Sequence, residues 1–204
     1  MKRFLDVMLA ILGMFVFAVP MLLLSVLVKV TSKGPVLYWS ERVGRGNRIF
    51  SMPKFRSMRT DTPQLATHLL SDADGWMTPV GGFLRSTSLD ELPQLWSILK
   101  GDMSFVGPRP ALFNQRDLIE LRTRCGADQL TPGLTGWAQI NGRDELPIPI
   151  KIEYDKYYLQ NKSLMFDLRI LCLTFFKVVR RDGFAQADVE SRKSDNASDT
   201  KNAA

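Results

Sequence analysis

The longest apolar stretch of the chain lies near its N-terminus, where Val7–Val28 contains no charged residue. A bilayer-crossing helix needs about 20 apolar residues, so this run is long enough to enter a membrane. Pro20 lies inside the run and deletes the backbone hydrogen bond to the carbonyl of Val16, which divides the segment into two shorter pieces. The pattern predicts an anchor over residues 1–31, either a kinked spanning helix or a re-entrant helix-break-helix.

Basic residues flank this run on both sides, with Lys2 and Arg3 before it and Lys29 and Lys33 after it. Since basic flanks tend to stay on the cytoplasmic side, both ends are drawn to the same face, as a re-entrant anchor requires. No small-residue cleavage site follows the run, so a removed signal peptide is not expected.

Two short strands are predicted after the anchor, VLYW at 36–39 and RIFSMPKFRSM at 48–58, joined by a glycine-rich turn at 44–47. Pro53 has no backbone N–H to donate, which places the second strand at the edge of its sheet. With the helices predicted further along, the pattern indicates a mostly helical α/β domain that contains a small β-hairpin.

Two later segments have the 3.6-residue period of amphipathic helices. The first carries an apolar stripe made of Leu92, Leu95, Trp96 and Leu99. Gly101 follows where a left-handed cap would end this helix near Lys100. We expect the second helix, residues 163–180, to pack on the core, with the membrane interface as the alternative; its stripe consists of Leu164, Leu168, Leu171, Phe175 and Val178.

Asp90 and Glu91 stand side by side at the start of the first of these helices. Ser88 with Glu91 three residues later has the spacing of a capping box, but Pro93 would then lie one position too deep and lose a hydrogen bond. Asp90 as the N-cap leaves Pro93 in the first turn, where its missing N–H is harmless, and we prefer Asp90 as the cap or near it. By themselves the two acids either compensate the helix dipole or bind a metal and attack phosphorus.

Length and composition limit the number of domains and the kinds of chemistry. The chain has 204 residues, 45% of them hydrophobic, and a formal net charge of +6. It is long enough for one catalytic domain of roughly 150 residues beside the anchor, and the polar residues 185–204 predict a disordered tail. The two cysteines, Cys125 and Cys172, have neither metal nor redox spacing. The single histidine, His68, lies in a polar stretch, which argues against a histidine-centred mechanism.

The most basic part of the chain includes the hairpin and consists of Arg42, Arg45, Arg48, Lys54, Arg56 and Arg59. We interpret it first as a solvated face or one that meets lipid headgroups, with direct substrate contact as the alternative. Its GRG turn lacks the spacing of a phosphate-binding P-loop, which disfavours a nucleotide triphosphate hydrolase.

Several motifs together resemble the bacterial sugar transferase family of small monotopic phosphoglycosyl transferases. They are KRFLD at 2–6, the proline-broken apolar segment, KFRSM at 54–58, LDELPQLWSILKGDMSFVGPRP at 89–110 and TPGLTGWAQINGR at 131–143. The resemblance runs from about Lys2 to about Gly183 and implies a re-entrant anchor, a compact catalytic domain at residues 32–184 and interfacial amphipathic helices. It further implies transfer of a phosphosugar from a UDP-sugar to polyprenol (undecaprenyl) phosphate, with release of UMP, at the cytoplasmic face of the bacterial inner membrane.

Carried over to this sequence, the resemblance implies that Asp90 is the nucleophile and holds the phosphosugar as an aspartyl phosphate. Glu91 is then the Mg²⁺ ligand, because that hard ion binds few carboxylates together with substrate oxygens. Arg109, fixed between two prolines, and Arg143 suit bidentate contacts to phosphate, although Arg143 could equally pair with a surface acid. Arg85 is a further phosphate-binding candidate.

The anchor carries two further expectations. Where the family has Ser-Pro at the membrane break, this chain has Val19 before Pro20, so a hydroxyl that stabilises the bend must come from elsewhere. Asp6 lies just inside the apolar run, where an unpaired charge is costly, and we expect it to tether the anchor by pairing with Arg3 or with an arginine of the domain.

Other classes of protein stay open at this point. A membrane-anchored binding protein for anionic lipid or nucleic acid would also be basic, but it would not need adjacent acids beside a proline-locked arginine. A structural single-pass protein predicts flanks on opposite sides of the membrane. Exposed apolar surface permits contact with phospholipid or with a second copy of the chain, so a homodimer also stays open.

Overall fold

The computed structural model describes residues 1–63, 75–142 and 146–180. Three sequence-based predictions concern residues outside these ranges: the role of Arg143, the ordinary character of His68 and the disorder of residues 185–204.

The N-terminal anchor consists of two helices, α1 (Lys2–Val16) and α2 (Ala18–Thr31), which meet at an angle of 61°. The break falls at Phe17, and Pro20 lies in the first turn of α2, where its missing N–H is tolerated. Among the described residues no single helix has the length and apolarity to cross a bilayer, whereas this bent pair meets both criteria when taken together. The predicted break beside Pro20 is therefore confirmed, displaced by three residues toward the N-terminus.

Two small sheets follow the anchor. Strands β1 (Leu37–Val43) and β2 (Ile49–Phe55) form the predicted hairpin, and the short strand β4 (Ala111–Leu112) adds to β1 in the order β2-β1-β4. Because β2 is at the edge of this sheet, the position predicted for Pro53 is confirmed. The second sheet pairs β3 (Ser104–Val106) in parallel with β5 (Gly133–Thr135).

Helices make up most of the remaining described chain, as the sequence predicts. They are α3 (Gly81–Ser86), α4 (Leu95–Lys100), α5 (Arg116–Cys125), α6 (Trp137–Ile140), α7 (Ile148–Asn161) and α8 (Leu164–Arg180), with a 3-10 turn at Leu89–Gln94. Gly101 has φ 97° and ends α4, which confirms the predicted left-handed cap.

The anchor helices contribute directly to the core of the domain. Ala10 of α1 is buried in a cluster with Met52, Leu95, Ile98 and Met103. Leu24 and Val28 of α2 are buried in a second cluster with Phe55 and Leu84. A third cluster lies between β3, α7 and α8 and includes Val106, Tyr158 and Ile170. The anchor and the domain therefore share one packed interior.

Polar side chains fix the N-terminus of α1 to the domain. Lys2 Nζ lies 2.8 Å from the carbonyl oxygen of Val106, from the hydroxyl of Tyr158 and from Asp167 Oδ2. Arg3 donates from Nη1 to the carbonyl of Ile98 and from Nη2 to that of Leu99, at the C-terminal end of α4. These contacts explain the two basic residues of the KRFLD motif.

The prediction that Asp6 pairs with an arginine is wrong. Its Oδ1 accepts hydrogen bonds from the hydroxyl of Ser104 at 3.1 Å and from the backbone N–H of Phe105 at 3.0 Å. Arg3 is engaged by backbone carbonyls instead, so Asp6 joins the anchor to strand β3 and not to an arginine. A buried carboxylate is satisfied as well by backbone and hydroxyl donors as by a cation.

The predicted core stripe of α8 is also largely wrong. Leu164, Leu168 and Phe175 are exposed, whereas Asp167 and Ile170, on an adjacent face of the helix, are buried. The helix therefore packs on the core through a different face and leaves an apolar face uncovered within the described structure. This is the pattern of the interfacial alternative.

Candidate active site

The two adjacent acids lie in the 3-10 turn Leu89–Gln94, between α3 and α4. Ser88 precedes the turn with φ 57° and ψ 17°, and its side chain makes no capping hydrogen bond. The capping box is therefore wrong, because the Ser88 side chain makes no such bond. Asp90 is not the N-cap either; it lies near it, in the first turn of the 3-10 segment, and α4 begins only at Leu95. Pro93, which has no N–H to donate, lies within this turn, so regular α-helix begins after it.

Glu91 is held by two cations from different parts of the chain. Lys54 Nζ of β2 lies 2.7 Å from Glu91 Oε1, and Arg109 Nη2 lies 3.3 Å from the same oxygen. Burial alone would raise the pKa of Glu91, but Lys54 and Arg109 together hold it well below its usual range. Glu91 is therefore an anion at neutral pH.

Asp90 is in a different electrostatic position although it is the next residue. It is 7% exposed, and its nearest ion-pair partner, Lys54 Nζ, is 3.9 Å from Oδ2. Burial raises the pKa of Asp90, and the positive charge of Lys54 opposes that rise. The pair thus combines a strongly paired carboxylate, Glu91, with a less strongly paired one, Asp90, whose pKa is raised.

The loop that carries Arg109 is held by close backbone packing. Gly107 donates its N–H to the carbonyl of Thr135 at 2.9 Å, and Gly133 donates to the carbonyl of Pro108 at 2.9 Å. A Cβ atom on Gly136 would lie 2.0 Å from the carbonyl oxygen of Gly107, closer than real Cβ atoms approach. Glycine is therefore required at position 136 for residues 131–136 to pack against the Pro-Arg-Pro loop.

One cleft of about 1130 Å³ joins these groups. Its charged lining residues include Lys54, Arg85, Asp90, Glu91 and Arg109. Its apolar wall is formed by α1 and α8, through Leu9, Leu12, Val16, Leu171 and Phe175. The cleft thus places a dense group of charges beside an apolar surface that continues onto the anchor.

This single cleft is lined by four of the predicted site residues: Asp90, Glu91, Arg109 and Arg85. The other three lie in the anchor or fix it to the domain: Pro20, Arg3 and Asp6. The described part of the motif at 131–143 contributes Leu134, Thr135 and Gln139 to the lining.

Lys54 was missed as a site residue, because the sequence shows it only as one of several basic residues near the hairpin. The available signal was its position in strand β2, where every second residue lies on the same face of the sheet. Arg56, the next residue on that face, also lines the cleft, but its guanidinium binds the end of the anchor: its Nη2 donates to the carbonyl of Ser32 at 2.8 Å. The basic segment therefore divides into residues of different roles.

Within the described residues, no group of three or more His, Cys, Asp or Glu side chains is placed to hold a metal. The two carboxylates nevertheless fit Mg²⁺, since that ion is commonly bound by one or two carboxylates together with phosphate oxygens of a substrate. Lys54 and Arg109 both contact Oε1 of Glu91, so an ion at this residue would share the carboxylate with two cations.

The comparisons with known proteins all point to one family. The family model described as bacterial sugar transferase matches residues 1–181. The uncharacterized sugar transferase EpsL of Bacillus subtilis is 40% identical over 190 residues, which cover 92% of each chain. The UDP-N-acetylgalactosamine-undecaprenyl-phosphate N-acetylgalactosaminephosphotransferase of Aeromonas hydrophila is 39% identical over 187 residues, 88% of this chain and 43% of that protein.

A third relative is the UDP-glucose:undecaprenyl-phosphate glucose-1-phosphate transferase of Escherichia coli. It is 39% identical over 189 residues, which cover 87% of this chain and 40% of that protein. The chain thus spans about two fifths of the length of the Aeromonas hydrophila and Escherichia coli relatives, and nearly all of EpsL.

Proposed function

Because this chain belongs to the bacterial sugar transferase family, we propose that it transfers a phosphosugar from a UDP-sugar to polyprenol phosphate and releases UMP. The observation that carries the proposal is the Asp90–Glu91 pair, which faces Lys54, Arg85 and Arg109 in a cleft with an apolar wall. Such a cleft suits a reaction between a charged sugar nucleotide and a lipid phosphate. The names of two relatives include both substrates of this kind.

In the proposed first step, a carboxylate oxygen of Asp90 attacks the phosphorus that bears the sugar. The bond between this phosphorus and the bridging diphosphate oxygen breaks, and UMP leaves with the electron pair. In the second step, an oxygen of polyprenol phosphate attacks the aspartyl phosphorus, which returns Asp90 to a free carboxylate and forms polyprenyl-diphospho-sugar. Covalent catalysis of this kind divides one displacement between two anions into two steps.

The cations of the cleft have defined roles in this scheme. Lys54 and Arg109 lie at the dyad, and a planar guanidinium such as that of Arg109 suits bidentate contact with phosphate oxygens. Arg85 lines the same cleft and lowers the pKa of Asp90, so its charge also reaches the nucleophile. Positive groups held in place before the reaction stabilise charge as it develops on the phosphoryl oxygens.

Glu91 is the residue we propose to hold Mg²⁺. When bound, the ion would offset the negative charge of the diphosphate. Glu91 is suited to this because it stays ionised at neutral pH, and its contacts to Lys54 and Arg109 fix the orientation of the carboxylate.

We further propose that the anchor is re-entrant and that the domain lies on the cytoplasmic face of the membrane. Both ends of the anchor bind the same domain: Lys2 contacts Val106 and Asp167, and Arg56 contacts Ser32. A helix pair tied at both ends to one compact body returns to the side from which it entered. Its uncovered side chains include Phe4, Met8, Ile11, Phe15, Leu22 and Leu23.

The reaction is tested with the full chain in detergent or lipid nanodiscs and a panel of UDP-sugars, without acceptor. With the correct sugar, UMP should be released in about one equivalent, and the peptide that contains Asp90 should gain the mass of the phosphosugar. Asp90→Asn should lose both signals, whereas Asp117→Asn, at an exposed position of α5, should retain them. UMP release with an unmodified Asp90 peptide, or an adduct that persists in Asp90→Asn, would refute the covalent route.

The topology is tested with single-cysteine variants in a background that lacks Cys125 and Cys172. A cysteine placed before Lys2 and another at exposed Glu41 should react with a membrane-impermeant reagent from the same side of sealed vesicles. Labelling from opposite sides would exclude a re-entrant anchor.

A further inference from the structure

The carbonyl groups of the Pro-Arg-Pro loop are held by side chains from distant elements. Pro108 and Pro110 have no backbone N–H, so the loop has few donors of its own to fix its shape. Arg122 Nη1 of α5 donates to the carbonyl of Arg109 at 2.8 Å, and Arg42 Nη1 of β1 donates to the carbonyl of Pro110 at 3.1 Å. The backbone position of Arg109 therefore depends on Arg122.

Arg122 is itself fixed by a buried carboxylate. Its Nε and Nη2 lie 2.9 Å and 2.8 Å from Asp155 Oδ2 of α7, and the side chain of Asp155 is 2% exposed. Because a guanidinium group is planar and rigid, two contacts on one edge determine the direction in which the third nitrogen points. Asp155 therefore aims Nη1 of Arg122 at the carbonyl of Arg109.

A continuous series of contacts leads from this pair to the dyad. Asp155 holds Arg122, Arg122 holds the backbone of Arg109, and the side chain of Arg109 reaches Glu91. Neither Arg122 nor Asp155 is among the described residues that line the cleft. Any influence they have on a bound diphosphate is transmitted through Arg109.

We propose that Arg122 and Asp155 are positioning residues that set the place of Arg109 over the carboxylate dyad. This inference rests on the proposed phosphosugar transfer, in which Arg109 binds the donor phosphates. A polar support behind a functional group typically changes activity about 10–100-fold when it is removed, and a displacement of about 1 Å at a reacting centre can cost about 100-fold in rate. The pair is thus expected to affect kcat more than the KM for the donor.

The test is a double-mutant cycle between Asp155→Asn and Arg109→Lys, measured as UMP release by the full chain. Asp155→Asn should lower kcat/KM at least about tenfold. If the pair acts through Arg109, Asp155→Asn should cost little more once Arg109 has been replaced, so that the two losses do not multiply. Asp155→Glu, which restores the charge, should recover part of the activity.

A matched control lies on the same helix as Arg122. Glu120 and Arg124 form an exposed pair at 3.6 Å on α5, and Glu120→Gln should leave kcat/KM within about twofold. If Asp155→Asn fails to fold, as judged by its melting curve, the same double-mutant cycle is measured with Arg122→Lys in its place. This change keeps the positive charge beside Asp155, but a lysine cannot reproduce the planar three-nitrogen contact.

The outcomes are distinct. An active parent whose Asp155→Asn or Arg122→Lys variant keeps full kcat/KM refutes the positioning role alone. Losses that multiply in the double variant also refute it, because the two residues would then act independently. A parent that releases no UMP from any UDP-sugar overturns the proposed function, and the positioning role with it.

Discussion

The contact of Asp6 with strand β3 permits a quantitative prediction about the junction of anchor and domain. Replacing Asp6 with alanine removes the acceptor used by the Ser104 hydroxyl and the Phe105 N–H. Each donor left unsatisfied in a buried site costs about 1–3 kcal/mol. The Ser104 hydroxyl can turn toward another acceptor, so we expect a total loss of about 3 kcal/mol in the free energy of unfolding, near the low end for two donors.

For a chain of this size, about 1 kcal/mol corresponds to roughly 2–4 °C in Tm. The Asp6→Ala variant in detergent should therefore melt about 6–12 °C below the parent. Asp6→Asn keeps a carbonyl oxygen at the same place but loses the charge, so it should lose only about 1 kcal/mol. Glu41→Ala, at an exposed position of β1, is the control and should change stability by less than about 0.5 kcal/mol.

A Tm for Asp6→Ala within about 2 °C of the parent would refute this reasoning, because it would mean that the two donors find other partners at no cost. An Asp6→Asn variant as unstable as Asp6→Ala would instead show that the negative charge of Asp6, and not its acceptor oxygen, stabilises the junction.

Three further predictions concern the cleft. Replacing Lys54 with methionine removes a positive charge that lowers the pKa of Asp90, so that pKa should rise further. The acid limb of the pH profile for UMP release should then move to higher pH. An unchanged acid limb would contradict the electrostatic role of Lys54. Gly136→Ala should lower the Tm by the equivalent of about 1–3 kcal/mol, since its Cβ would overlap the carbonyl of Gly107, and an unchanged Tm would show that the loops separate freely. A chelator should abolish UMP release and added Mg²⁺ should restore it, with Glu91→Gln requiring at least about tenfold more metal; full activity in the chelator would exclude the ion.

The features that the sequence predicts well depend on short-range patterns. Pro20 marks the break in the anchor, Gly101 ends α4 and Pro53 lies at a sheet edge, because each of these residues limits its own backbone. The Asp90–Glu91 pair and Arg109 were identified through motifs that resemble a family, and the structure brings them into one cleft.

The features that the sequence does not predict depend on contacts between distant residues. Asp6 and Phe105 are 99 positions apart, and no periodicity in either segment shows that a backbone N–H will serve the carboxylate. The stripe of α8 does not identify the buried face for a related reason: an apolar face that stays uncovered has the same sequence pattern as one that packs on a core. Ser88 and Glu91 have the spacing of a capping box, but Pro93 in the same turn leaves α4 to begin only at Leu95.

The shared interior of anchor and domain has a practical consequence for protein engineering. Removing residues 1–31 to obtain a soluble enzyme would uncover Met52, Ile98, Phe55 and Leu84, and would leave the backbone of Phe105 without its partner. Fusing the remainder to an unrelated membrane helix would not repair these surfaces, since the replacement would have to reproduce Ala10, Leu24 and Val28 at the same positions. A soluble form is more readily sought by replacing the uncovered apolar residues of α1 and α2 while their inward faces are kept intact.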